Sequence, residues 1–159
     1  MRNFKLVDLN HLQKIELLET FDLVDNLASN QIGTLATFLR AYLVTTNDPI
    51  LTEGEKNNFF CLICDGEVDI IKSDLANNTK KLSSLGPGKI IGEISFFDQG
   101  PCSAGVVAKN EVTLLVIDRT EFNSLCEQAT HIALEITLKI MRSLGQRLRQ
   151  TTGKLIDLL

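Results

Sequence analysis

Residues 42–117 are cut into short pieces: seven of the ten glycines (54, 66, 86, 88, 92, 100 and 105) and all three prolines fall inside this stretch. A long helix is excluded there, because glycine costs about 1 kcal/mol and proline about 3 kcal/mol in a helix interior. The pieces between the breaks are β-type: residues 49–52, 59–64, 67–72, 81–85, 105–108 and 112–117. Short strands at close spacing with Gly, Asn and Asp turns predict a sandwich or small barrel, with Asn77-Asn78 at a turn tip.

The flanks have a different texture. Leu9, Leu12, Ile15 and Leu18, then Leu23, Leu27, Leu35 and Leu39, recur at helical intervals without an internal proline. Two short helices are predicted, broken near residues 20–22. Beyond residue 117, Asp118 is placed to cap a short helix carrying Phe122 and Leu125, and a long helix runs from about residue 129. Steps of four and three residues from Leu134 give Leu134, Leu138, Met141, Gly145, Leu148, Thr152, Leu155 and Leu159, six of the eight apolar. That pattern fits a heptad seam, while Ile132, Ile136 and Ile140 form a second stripe suited to the β body. One face for its own domain and one for a partner predicts a homodimer through this helix; the alternative is a helix buried wholly within one subunit.

At 159 residues one domain is expected, and a two-domain enzyme is not. The longest apolar run, 59–64, is six residues, far short of a membrane span, and the first ten residues lack the apolar block of a signal peptide. A cytoplasmic protein with reduced cysteines is expected. Basic and acidic side chains number 4 and 6 in residues 1–50, 7 and 12 in 51–127, and 5 and 2 in 128–159. The basic tail reads as a solvated helix face, with too few spaced charges to argue for DNA.

Cys61 and Cys64 have the C-x-x-C spacing of metal and redox sites but lie in a β-type run. Residues three apart on a strand point to opposite faces, so core cysteines are expected instead. Gly86, Gly88 and Gly92 fail the dinucleotide fingerprint, because the third glycine is one residue late and Pro87 interrupts the turn. No acid, base and nucleophile constellation is visible, so no enzymatic activity, catalytic residue, metal or cofactor is expected.

The segment 92–107, GEISFFDQGPCSAGVV, carries the most chemistry. A short helix opening at a glycine presents free N–H groups, which suit an anion. Gly92 permits close backbone approach and Glu93 can accept hydrogen bonds from sugar hydroxyls. The residues alone leave two readings, an anion-and-sugar site or a plain strand-helix-strand corner.

ILTEGE (50–55) followed by FFCLICDGEVDII, and then LGPGKIIGEISFFDQGP, resemble the opening strands and phosphate-binding cassette of the cyclic nucleotide-binding domain. This is the sensor domain of bacterial catabolite-activator-type regulators and of cyclic-nucleotide-gated kinases and channels. The resemblance spans roughly residues 20–155. It implies an α+β, mainly β fold: an antiparallel jelly-roll β-roll, cupin-like, with N-terminal helices (1–41), the roll (42–117) with its cassette (92–104), and C-terminal helices (118–159). It further implies that Gly92 and the amides of Ile94 and Ser95 face a cyclic phosphate, that Glu93 accepts the ribose 2′-hydroxyl, that Ser103 matches a small hydroxyl residue that touches the phosphate or the purine, and that Ala104 follows it.

The family's arginine after the cassette proline is here Cys102. A charge-assisted hydrogen bond is worth about 1.5–3 kcal/mol, so its loss weakens phosphate binding by roughly ten- to several-hundred-fold. On the long helix, Thr151 and Thr152 match hydroxyl residues that contact the purine in the dimeric activator. The expectation is a non-enzymatic, dimeric regulatory module for cAMP or cGMP that signals to a protein partner by movement of its last helix, without a helix-turn-helix or direct DNA binding and without a membrane partner. The alternative is a ligand-free scaffold with a degenerate cassette.

Overall fold

The apolar run at 59–64 does not alternate because it is buried on both faces, and the fold is arranged around it. The computed structural model describes residues 4–156 apart from Leu75 and Asn77. Its elements are β1 (Phe4–Val7), α1 (His11–Leu18), a 3-10 turn (Asp22–Val24), α2 (Ser29–Thr37), β2 (Arg40–Val44), β3 (Pro49–Leu51), β4 (Phe59–Asp65), β5 (Val68–Ser73), β6 (Thr79–Leu85), β7 (Ile90–Ile91), α3 (Glu93–Asp98), β8 (Gly105–Ala108), β9 (Val112–Asp118), α4 (Arg119–Gln128) and α5 (Thr130–Ile156).

Two antiparallel sheets, ordered β1-β2-β9-β4-β7 and β3-β8-β5-β6, face one another. On β4 and β9 the pairs Cys61↔Val116 and Ile63↔Leu114 point into the core between the sheets, whereas Phe60↔Ile117 and Leu62↔Leu115 point out toward the helices. Cys61 and Cys64 accordingly serve opposite faces, Cys61 in the inner core and Cys64 against the helical one. Burial pushes the Cys61 thiol well up, helped by the nearby Glu93 charge and Cys64, and pushes Cys64 up to about 12.

Asp118 accepts from the Glu121 amide at 2.9 Å and caps α4 as expected. Along α5, Ile132, Ala133, Ile136 and Ile140 are buried on the body, while Leu134, Met141, Leu148 and Leu155, spaced by seven residues, are 53–68 % exposed. Residues 146–156 are exposed on every side. The two stripes read from the sequence are therefore separate faces; Leu159 of the seam lies outside the described residues, as does Asn77 of the turn tip.

The segment 1–41 is not wholly helical. β1 lies within it, β2 begins at Arg40, and β7 is a further strand that the apolar patterning did not single out. β1 and β7 have four and two residues, and both are held by their neighbours: Phe4↔Val44 to Val7↔Ala41 for β1, Cys61↔Ile91 and Leu62↔Ile90 for β7.

Candidate functional site

The chain turns from β7 into α3 at Gly92, whose φ of 82° lies in the left-handed region. A Cβ there would meet the Phe59 carbonyl oxygen at 3.0 Å and the Asn57 amide nitrogen at 3.1 Å. The Asn57 side chain donates to the carbonyl oxygens of Phe59 and Gly92 and lies 3.2 Å from Ser95 Oγ, pinning the start of α3 to β4. Asn57 was not singled out in the sequence, since its role appears only where two distant segments meet.

Glu93 is 3 % exposed, and its carboxylate accepts from the Arg147 guanidinium on α5. A buried carboxylate needs such a partner. The expected sugar acceptor thus stands at the junction of cassette and terminal helix. Ile94, next in α3, is 41 % exposed. Ser95 points inward, its Oγ 3.3 Å from the Gly92 carbonyl oxygen and 3.6 Å from Cys102 Sγ.

Cys102 is 5 % exposed and belongs to the core between the sheets. Its amide donates to the Glu55 carbonyl at 2.8 Å and its carbonyl accepts from the Gly54 amide at 2.9 Å, so the TEGE turn clasps the end of the cassette. Lys72 Nζ donates to the Ser103 carbonyl and pairs with Glu53 at 3.2 Å. The Ser73 amide and Lys72 hold the Glu53 carboxyl below its usual range. Ala104 is half-buried beside them. At the other end of α3, Arg119 bonds the Phe96 carbonyl and stacks 3.7 Å over the Phe96 ring, within a cluster of Phe60, Phe96, Phe97 and Phe122.

An open cavity of about 640 Å³ lies between the β6–β7 turn, the 3-10 turn and α5. It reaches Glu93 but not Cys102, Ser103 or Ala104. From α5 it is lined by Lys139, Ile140, Arg142, Ser143, Gln146, Arg147 and Gln150. Thr151 and Thr152 do not line it; their hydroxyls donate back to the Arg147 and Leu148 carbonyls at 2.9 Å each. The structure therefore joins Glu93 to α5 through Arg147 rather than through the two threonines. The signal for these lining residues was present in the sequence: 139, 142, 143, 146, 147 and 150 recur at helical spacing between the apolar stripes.

A two-sheet roll with a short, glycine-led helix that presents a buried carboxylate to a long terminal helix is the architecture of the described residues. The chain matches the cyclic nucleotide-binding domain over residues 43–129 and belongs to that family. It is 26% identical over 124 residues to the cyclic AMP receptor protein of Thermus thermophilus, across 78% of this chain and 57% of that protein. With the cAMP-dependent protein kinase regulatory subunit of Yarrowia lipolytica it shares 28% over 109 residues, 69% of this chain and 28% of that protein. Its fold is that of a cyclic nucleotide-binding domain from Methylobacillus flagellatus, with a TM-score of 0.86 at 21% identity over 99% of this chain and 90% of the other. The chain thus spans well under two thirds of the length of these two curated relatives. Among the described residues no helix is long and apolar enough to cross a membrane.

Proposed function

We propose that this chain is a non-enzymatic regulatory module that holds a ribonucleotide by its sugar at Glu93 and reports its presence through α5. Family membership supports cAMP and cGMP as the first ligands to test. The observation that carries the reading is the Arg147–Glu93 pair, which ties the cassette to the terminal helix at the atom a ribose hydroxyl would seek. A ligand hydroxyl donating to Glu93 shares or displaces Arg147. Beyond residue 145 the helix has little other packing, so the latch biases its pose. The ligand shifts that pose only by its difference in affinity for the two arrangements.

The exposed stripe of Leu134, Met141, Leu148 and Leu155, spaced by seven residues, supports a second copy as the partner of α5. An output protein, in the cytoplasm on this reading, receives the change in helix pose. A second reading, a scaffold with a ligand-free cassette, is favoured by one observation: Cys102 is packed into the core where a phosphate partner is needed.

Calorimetric titration with cAMP and cGMP tests the choice. Weak saturable heat that disappears in Glu93→Ala supports the sensor; no heat with any ribonucleotide or nucleoside at millimolar concentration leaves the scaffold. Sedimentation of the wild type beside Leu148→Glu tests the dimer, which the variant should dissociate; a monomeric wild type removes the helix seam.

A further inference from the structure

The cavity is positively biased in an acidic protein. Lys89, Lys139, Arg142 and Arg147 line it against the two carboxylates of Asp22 and Glu93, while the chain as a whole carries −4. A cleft lined by one sign of charge focuses the field and concentrates ligands of the opposite sign. Lys139 is matched by Asp25 at 3.3 Å and Arg147 by Glu93. Lys89 and Arg142 have no carboxylate within ion-pairing distance among the described residues.

The cassette shows the opposite condition. Lys72 is held by Glu53, Arg119 is engaged at Phe96, and position 102 is a neutral side chain in the core. From these two conditions, and resting on the reading of Glu93 as the ribose acceptor, we infer that the phosphate of the ligand is read by Lys89 and Arg142 across the cavity, and that the ligand class is a ribonucleoside with a linear 5′-phosphate or diphosphate.

In a 3′,5′-cyclic phosphate the charge is fused to the ribose, next to the hydroxyl that Glu93 accepts, and is a single negative charge. Arg142 lies five residues before Arg147, about 7.5 Å along the helix axis. A 5′-phosphate on a free arm extends away from the sugar toward that distance and carries about two charges; a diphosphate extends further and carries more. Both properties strengthen its attraction to two unmatched cations.

The test is calorimetry of the intact chain with adenosine, AMP, ADP and cAMP, and with the guanine counterparts. AMP or ADP should bind at least about ten-fold tighter than both the nucleoside and the cyclic nucleotide. Lys89→Glu and Arg142→Glu should each lower that affinity about ten-fold and leave adenosine unchanged, whereas Lys109→Glu, the same charge change at a lysine that does not line the cavity, should leave ADP unchanged. Raising the salt should weaken ADP and not adenosine. Equal or tighter binding of cAMP or adenosine, or indifference of ADP to both cavity reversals, overturns the inference while the reading of Glu93 stands. Failure of every ligand, adenosine included, overturns both.

Discussion

The Arg147 guanidinium, near the start of the exposed end of α5, bonds the carboxylate of Glu93, a residue 3 % exposed at the start of α3. The pair is asymmetric: one partner is buried and the other is half-exposed at 48 %. Removing the exposed partner strands a buried charge, while removing both does not.

Arg147→Met should therefore destabilise the ligand-free protein by about 1–2 kcal/mol, discounted for the exposure of the arginine. Adding Glu93→Gln should recover part of the loss. Urea denaturation of the wild type, both single variants and the double variant measures the coupling, and additive effects would contradict an energetic link between cassette and helix.

Three left-handed glycines should differ in tolerance to alanine. At Gly66 a Cβ would meet the Glu111 carbonyl oxygen at 2.2 Å, at Gly92 the Phe59 carbonyl oxygen at 3.0 Å, and at Gly88 nothing within 4 Å. The expected order of thermal destabilisation is Gly66→Ala, then Gly92→Ala, then Gly88→Ala, the last costing about 1 kcal/mol from backbone strain alone.

The two β4 cysteines make stability fall at alkaline pH. Cys64 titrates at about 12 in the fold against about 8.5 unfolded, and Cys61 is shifted in the same direction. A raised folded value means the contribution is complete below pH of about 8.5 and is lost progressively as pH rises toward 12. Urea midpoints from pH 8 to about 11 should fall more gently in Cys64→Ala than in the wild type; parallel slopes would remove the thiol from the explanation.

Cys102→Arg restores the cation that the family places in the cassette. It should cost stability, because a guanidinium replaces a thiol that is 5 % exposed and 3.6 Å from Ser95. In the same variant, affinity for cyclic nucleotides should rise roughly ten-fold or more. A folded Cys102→Arg protein with unchanged affinity places the degeneracy in more than one residue.

The roll was legible because its signals are local. Glycines and prolines at 42–117 exclude a long helix, six apolar runs between them became β3, β4, β5, β6, β8 and β9, and the two stripes of α5 separated as their spacing required. β1, β2 and β7 were not legible, because they are set by pairing with β2, β9 and β4, segments distant from them in the chain. In the site, Gly92, Glu93 and Cys102 were singled out from the cassette string, yet Asn57, Arg147 and the unmatched cations of the cavity were not. Their roles come from segments far apart in the chain.

The amino-acid sequence by itself determined the helix–roll–helix arrangement, the glycine-led turn at Gly92 and the absence of a cation at position 102, each a property of residues and their near neighbours. Only the tertiary structure decided which partner the buried carboxylate takes. Glu93 and Arg147 are separated by 54 residues, and no periodicity joins the first residue of α3 to one arginine among five basic residues of the tail. The choice falls on Arg147 because packing of Ile132, Ile136 and Ile140 on the body fixes the rotation of α5, and with it the face turned toward the cassette.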